Sequence, residues 1–320
     1  MNALSHVTPR TQSRLKLAPA LLMGLLYLLS VPANGQQIFV TSLLSSTGTV
    51  GEYDATTGAT INAALVTGLY RPLAIALSGT DLYVASGTTG KVGEYDTTSG
   101  NAINRALISH FAGEFGVAVS GPNLYLSDSD QGQQIGEYNA LTGSLVNANF
   151  ITGLRQAQSF ALSGTNLFVE NFPNGGGLST IEKYDATTGQ VVNASFITGV
   201  NLPYAIAASD SALYVVTNNN IKEYDTNSGA LINSSLVPGL NSPAGIAISG
   251  PYLYVANYSS GTIGEYNAST GATINATLVT GLVNPFAIVV SVPESSTSAA
   301  WIGLIVLGLA LVNRRRKSAV

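Results

Sequence analysis

Six times the sequence returns to Gly-Glu-Tyr-Asp or a close variant, with tyrosines at Tyr53, Tyr95, Tyr138, Tyr184, Tyr224 and Tyr266. The intervals are 42, 43, 46, 40 and 42 residues. A second landmark keeps the same step: an Asn after Ile or Val at Asn62, Asn104, Asn147, Asn193, Asn233 and Asn275. A period of this length signals a repeat architecture in which each unit buries its apolar faces against its neighbours. The unit itself holds four short apolar runs. In the second unit these are 74–77, 82–85, a run ending in Gly93-Glu94-Tyr95-Asp96, and 102–108. They are rich in β-branched and aromatic residues and bounded by Gly, Ser, Thr, Asn or Asp, as strands are. No stretch of the repeat region keeps an apolar 3.6-residue period long enough for a helix. Four strands in about 42 residues make a blade of a β-propeller.

Counting strands closes the ring. The repeat region starts with a second-type strand at Ile38-Phe39-Val40-Thr41 and ends with a first-type strand at Phe286-Ala287-Ile288-Val289. Each strand type then occurs six times, and the last strand is expected to complete the blade that Ile38 begins. The expected fold is an all-β, six-bladed propeller closed by pairing of its first and last strands, which removes exposed edges. The domain is placed at 36–291. Runs such as Pro243-Ala244-Gly245-Ile246-Ala247-Ile248, Leu253-Tyr254-Val255-Ala256-Asn257 and Ile263-Gly264-Glu265-Tyr266-Asn267 resemble NHL-type blades over 38–290. That resemblance implies the architecture and leaves activity open.

Both flanks read as addresses. Residues 1–35 carry Arg10, Arg14 and Lys16, an apolar run over 17–31, and Ala33-Asn34-Gly35 before a cut at Gln36. This is the build of a secretory signal peptide. At the other end, 292–320 begin with Val292-Pro293-Glu294-Ser295, continue through an apolar stretch over 299–312 and close on Arg314-Arg315-Arg316-Lys317. A hydrophobic helix ending in a basic cluster would keep that cluster cytoplasmic. The layout resembles the PEP-CTERM sorting tail, although the second Pro of that motif is Ser295 here. The resemblance implies export, a membrane helix that is held or transient, and processing by an exosortase-type protease. It also implies an extracellular polysaccharide or biofilm setting.

Charge excludes one class of partner. The chain has 13 Lys and Arg against 17 Asp and Glu. Between 36 and 291 only Arg71, Lys91, Arg105, Arg155, Lys183 and Lys222 are basic, against 16 acidic residues, a net of −10. Nothing there tracks a nucleic-acid backbone. With no cysteine, disulfides and thiolate metal sites are also excluded.

The recurrent polar residues read as structure. The turn Asp54-Ala55-Thr56-Thr57-Gly58 and its five counterparts suit a side-chain-capped turn with Gly at positive φ, rather than a calcium loop. The repeated Asn suits an edge tied to a neighbouring loop. Glu52, Glu94, Glu137, Glu223 and Glu265, with Lys183 in the sixth place, suit a solvated or hydrogen-bonded ladder. Exceptions to the repeat point to one face, where connections after second and fourth strands meet. Arg71, Glu114, Asp128, Asp130, Glu170, Asn171 and Asn257 are the candidate ligand-binding residues there, beside a long loop from Asn171 to Thr180. No cofactor, resident metal or catalytic residue is expected. His110 is the domain's lone histidine, and no nucleophile elbow, phosphate loop or zinc helix occurs. The expected function is an exported envelope or matrix protein, not an enzyme, whose propeller binds a protein or polysaccharide. The alternative is a metal-dependent lactonase or hydrolase, by similarity to gluconolactonase-type propellers, with Glu170, Asn171, Asp128 and Asn257 near the channel mouth.

Overall fold

The strand-and-turn punctuation becomes 24 strands in a computed structural model that describes residues 35–291, apart from 45–46, 88, 110–115, 129–133 and 174–176. The expected signal peptide, sorting motif and terminal helices lie outside the described residues. From the axis outward, blade 1 is β24 (Pro285–Val290), β1 (Gln37–Ser42), β2 (Gly48–Asp54) and β3 (Thr60–Leu69). Blade 2 is β4 (Pro72–Ser78), β5 (Asp81–Ser86), β6 (Lys91–Asp96) and β7 (Ala102–Ser109). Blade 3 is β8 (Val117–Ser120), β9 (Asn123–Asp128), β10 (Gln134–Asn139) and β11 (Leu145–Ile151). Blade 4 is β12 (Ala157–Ser163), β13 (Asn166–Asn171), β14 (Leu178–Asp185) and β15 (Val191–Asn201). Blade 5 is β16 (Ala205–Ala208), β17 (Ala212–Val216), β18 (Ile221–Asp225) and β19 (Leu231–Val237). Blade 6 is β20 (Pro243–Ser249), β21 (Tyr252–Asn257), β22 (Thr262–Asn267) and β23 (Thr273–Val279). All pairs are antiparallel.

The ring closes as the strand count requires. Ile38 pairs with Val290, Phe39 with Val289 and Val40 with Ile288. Two bonds of 2.8 Å fasten the ends: Ser291 N to Gln37 O, and Gln37 N to Ser291 Oγ.

The core is divided among the seams. Side chains alternate across each strand, so one face of a blade packs on the preceding blade and the other on the next. Six apolar clusters result, one per seam. Phe39, Val50 and Leu65 of blade 1 meet Leu82, Val84 and Tyr95 of blade 2. At the closing seam, Tyr254, Ile263 and Leu278 of blade 6 meet Ile38, Val40 and Tyr53 of blade 1. Burying one such side chain stabilises by roughly 1.5–3 kcal/mol.

The turn glycines serve two purposes. Gly58, Gly100, Gly143, Gly189, Gly229 and Gly271 all have φ of 68–73°. A Cβ on Gly58 would also sit 1.8 Å from Leu278 O, and one on Gly100 would sit 1.9 Å from Leu65 O. These carbonyls belong to the preceding blade's outer strand, so the turn is also a seam contact. The turn's Asp54 Oδ1 accepts from Thr57 N (2.7 Å), Thr57 Oγ1 (2.8 Å) and Thr56 N (3.0 Å). Those bonds, the Thr57 side chain's foremost, hold the Asp54 carboxyl below its usual range.

One expectation is corrected and one narrowed. The repeated Asn ties no neighbouring loop. Its Oδ1 accepts from the backbone N–H two residues on in the same strand, at 2.9–3.1 Å in all six blades. The outer strand bulges there: Val50 pairs with Val66 and Glu52 with Asn62, so three residues face one. The Asn fills the donor that the bulge frees. Of the two forms open to the glutamate ladder, the solvated one is set aside. Glu52, Glu94, Glu137, Glu223 and Glu265 are buried, because their face of β2, β6, β10, β18 or β22 is covered by the next blade. Burial raises each carboxyl above its usual range. Glu52 Oε1 accepts from Gln37 Nε2 at 2.7 Å.

Candidate functional site

Backbone bonds between loops fix which connections share a face. Gly87 N, after β5, donates to Arg71 O, before β4, at 3.1 Å. Leu43 N to Asn284 O (3.1 Å), Tyr258 N to Ser242 O (3.0 Å) and Phe172 N to Gln156 O (2.9 Å) repeat the link. Connections after second and fourth strands therefore lie together, as the sequence predicts; we call this the upper face.

Its entries are strained in a regular way. Arg71, Leu202, Ser242 and Asn284 have φ of 45–50°, and each precedes a proline. Non-glycine residues held there cost about 1–3 kcal/mol each unless the surroundings enforce the turn. The enforcement is visible at Asn284, whose carbonyl accepts from Leu43 N while its Nδ2 donates to Leu43 O, both at 3.1 Å. The loops are thus braced pairwise.

The inner strands surround an axial cavity of about 650 Å³. Its lining is mostly apolar, alanines such as Ala74, Ala118, Ala207 and Ala247 alternating with larger aliphatic and Phe residues, and Gln158, Ser159 and Tyr204 are its polar side chains. Among the described residues no carboxylate lines it.

The candidate residues do not converge. Arg71 is exposed. Glu170 and Asn171 are neighbours on β13 and therefore project from opposite faces of the blade. Asn171 is committed: its Oδ1 accepts from Arg155 N (2.7 Å) and Gln156 N (3.2 Å), and its Nδ2 donates to Glu182 Oε1 (2.7 Å). Asn257 is buried in blade 6, with Nδ2 at 3.4 Å from Thr262 Oγ1. Asp128 ends β9 opposite Gln134. Glu114, Asp130 and His110 lie outside the described residues.

Glu170 is the anomaly. It is 0% exposed. Neither carboxyl oxygen makes a hydrogen bond, and Ser179 Oγ is likewise unpaired. Burial pushes the carboxyl up to about 8, and the Ser179 hydroxyl beside it offsets only part of that. Thr41, Ala85, Ser127, Val216 and Ala256 hold the equivalent place in the other blades. Glu170 faces blade 5, on the same side of the blade as Phe168, Ser179, Ile181 and Lys183.

Lys183 is a second anomaly on that same face. Its Nζ donates to Thr226 O at 2.9 Å and lies 5.6 and 5.3 Å from the Phe168 and Phe196 ring centroids. The acceptor explains the substitution. Thr226 follows the turn Asp of blade 5, and the matching carbonyls in blades 4 and 1 are Ala186 O and Ala55 O. Those accept from Tyr125 OH (2.6 Å) and Tyr254 OH (3.5 Å) of the preceding blades. Blades 1 and 4 have Phe39 and Phe168 at that tyrosine's position; blade 1 keeps Glu52 as the cross-strand partner, whereas in blade 4 the partner is Lys183. An ammonium replaces the phenol as donor, and the ladder's glutamate gives way to it.

The feature that residue-type reasoning missed is apolar. Leu44, Tyr70, Leu178, Leu202, Tyr204 and Val283 are all exposed on the upper face. On the opposite face only Leu141 and Tyr252 are large and exposed among the described residues. The Pro that enters four blades was the available signal, since it marks where a rigid turn presents its preceding residues.

No family model and no curated protein matches the chain. Solved structures do. A chain of the crystal structure of a nidogen/laminin complex superposes with a TM-score of 0.68 at 13% identity, covering 81% of this chain and 100% of that one. Hydrazine synthase of Kuenenia stuttgartiensis matches with a TM-score of 0.52 at 17% identity, covering 68% of this chain and 70% of that one. At such identities the likeness shows the fold. With 979 solved chains sharing it, the fold alone selects no activity. The chain is similar to six-bladed propellers built of four-stranded antiparallel blades.

Proposed function

We propose that this is an exported binding protein of the cell envelope or matrix, not an enzyme, and that its upper face docks a protein partner. The observation that carries the reading is the asymmetry of the two faces. Tyr70, Leu202, Tyr204 and Val283 stand exposed on turns fixed by positive-φ residues and prolines, while the opposite face presents short Asp, Thr, Ser and Gly turns. Aromatic and aliphatic side chains on a preformed scaffold lose little entropy on binding and are the usual anchors of an interface. The nidogen/laminin likeness is consistent with a propeller that binds protein. Export, and processing of 292–320 by an exosortase-type protease, follow from the flanking segments. A polysaccharide remains the second class of ligand, because tyrosines stack on sugars as readily as on side chains.

The test compares capture by the intact protein with capture by Tyr70→Ala/Tyr204→Ala and by Leu141→Ala on the opposite face. An envelope protein bound by the first and third but not the second supports the reading. Equal capture by all three, or binding of a glycan array alone, contradicts it.

A further inference from the structure

We propose that Asn193 and Asn275, and more weakly Asn233, are acceptor sites for an N-linked oligosaccharide on the outer strands of blades 4, 6 and 5. The inference rests on the export proposed above, because transferases of this kind read Asn-X-Ser/Thr, X not Pro, on exported chains. The tripeptide begins at Asn193, Asn233, Asn257, Asn267 and Asn275. The fold sorts these positions. Asn257 is 4% exposed. Asn267 holds the turn after β22. Its Oδ1 accepts from Ser269 N (3.1 Å), Ser269 Oγ (2.9 Å), Thr270 N (2.9 Å) and Thr270 Oγ1 (2.9 Å), so the motif's hydroxyl is taken. Asn193, Asn233 and Asn275 occupy one equivalent place in consecutive blades. Asn193, Asn275 and the hydroxyl residues Ser195, Ser235 and Thr277 are exposed, and Asn233 is half-buried.

The repeat supplies the comparison. In every blade this Asn Oδ1 accepts from the N–H two residues on. That bond needs only a backbone donor, and blades 1, 2 and 3 place Ala64, Ala106 and Asn149 there. Blades 4, 5 and 6 add a hydroxyl. Among the described residues, neither that hydroxyl nor the Asn Nδ2 makes a hydrogen bond. Both groups that the transfer reads are therefore uncommitted. The bulge also lifts the segment out of the ladder. Asn193 pairs with Lys183 and Ile197 with Ile181, while Asn275 pairs with Glu265 and Val279 with Ile263, so Ser195 and Thr277 lie within the irregular stretch.

Group transfer at these sites is redox-neutral. Asn Nδ2 bonds to the anomeric carbon of an oligosaccharide carried on a polyprenyl diphosphate. The bond from that carbon to the diphosphate oxygen breaks, and the lipid diphosphate leaves with the electron pair. Nδ2 gives up one proton, taken by a base of the transferase. A bulky, hydrated group then stands beside the open edges of β15 and β23, where another sheet would otherwise pair.

The test incubates the purified full-length chain, in detergent, with a single-subunit transferase of Asn-X-Ser/Thr specificity and a polyprenyl-diphosphate oligosaccharide. Glycopeptides are then mapped by mass spectrometry. Glycan is expected at Asn193 and Asn275, several-fold less at Asn233, and none at Asn257, Asn267, Asn62, Asn104 or Asn147. Ser195→Ala and Thr277→Ala should each abolish their own site without lowering the melting temperature. Ala64→Ser should create a site at Asn62. Modification of Asn257 or Asn267 equal to that of Asn193 overturns the assignment. So do an unmodified Asn193 and Asn275, or a site that survives loss of its hydroxyl. Export does not enter this reaction, so its failure shows separately, as protein from the producing cells that retains residues 1–35.

Discussion

Two seams of the ring differ in an unexpected direction. Blade 1 is where the first and last strands of the domain meet, yet its seam with blade 6 is regular. β24 completes blade 1, Tyr254 reaches Ala55 O, and the glutamate ladder continues through Glu265. Blade 4 is built from one stretch of sequence, β12 to β15, yet at its seam with blade 5 the repeat is abandoned. Phe168 replaces the tyrosine, Lys183 replaces the glutamate, and Glu170 is buried without a partner. The blade assembled from two distant stretches thus keeps the regular contacts at its seam with blade 6, and these exceptions gather on a blade assembled from one.

The largest effect should come from breaking the regular seam. Deleting 284–320 removes β24 and leaves β1 and β20 without their neighbour. Deleting 293–320 cuts beyond the last strand. Thermal unfolding of both, made without 1–35, should give a cooperative transition only for the second. Loop closure across some 250 residues costs little more than across a short loop, whereas losing β24 forfeits a whole ladder and part of two clusters. Equal melting temperatures would refute closure.

Next in size is the turn glycine. Gly58→Ala places a methyl group on Leu278 O at the closing seam and strains a positive φ. A loss of about 2–4 kcal/mol is expected from the combined backbone and packing cost, read by denaturant unfolding. Gly79→Ala is the control: its φ is 57° but nothing lies within 4 Å of the added Cβ. It should cost about 1 kcal/mol. Equal losses would mean that the seam contact contributes nothing.

A further effect is pH-dependent and belongs to the irregular seam. Glu170 has its carboxyl raised to about 8 in the folded protein, above its unfolded value. Between these two values the folded state holds a proton that the unfolded state has released, so stability falls as pH rises across that window and levels off above it. Glu170→Gln should remove that decline and leave the protein more stable at pH 8–9 than the parent. The buried ladder glutamates act in the same direction. The turn residues Asp54, Asp96, Asp185 and Asp225 act in the opposite one, since turn hydrogen bonds, those from Thr57, Ser99, Thr188 and Ser228 foremost, lower their carboxyls. Their contribution is lost on acidification. Unfolding measured from pH 3 to 9 checks both limbs; a parent and Glu170→Gln with superimposable profiles would contradict the assignment.

How much of this was legible follows from what repetition encodes. The period, the blade and the phase shift that closes the ring are all written in the spacing of Tyr53 to Tyr266 and in the half-blades at Ile38 and Phe286. The asparagine and glutamate were legible as structural, but not their partners. Whether Glu52 meets water depends on the neighbouring blade, and period-2 alternation reports a face without saying what covers it. Lys183 looked like a lone exception because its compensation, Phe168, is 15 residues away in sequence and opposite it in register. At the candidate site, Glu170 and Asn171 drew attention as polar neighbours, and the pleat separates them. The exposed Tyr70 escaped because an aromatic in a repeat protein reads as core.

The central claim is that a donor to the turn carbonyl crosses three seams, from Tyr125 in blade 3, from Tyr254 in blade 6 and from Lys183 in blade 4. A double-mutant cycle at Phe168 and Lys183 tests it most directly. Lys183→Glu alone leaves Thr226 O without its donor and buries an unpaired carboxylate beside Phe168, a loss of about 3 kcal/mol or more. Phe168→Tyr with Lys183→Glu recreates the arrangement of Tyr254 and Glu265, and the account predicts recovery of most of that loss in denaturant unfolding. A double variant as unstable as Lys183→Glu alone would show that the two positions are independent and that Lys183 does not stand in for the tyrosine.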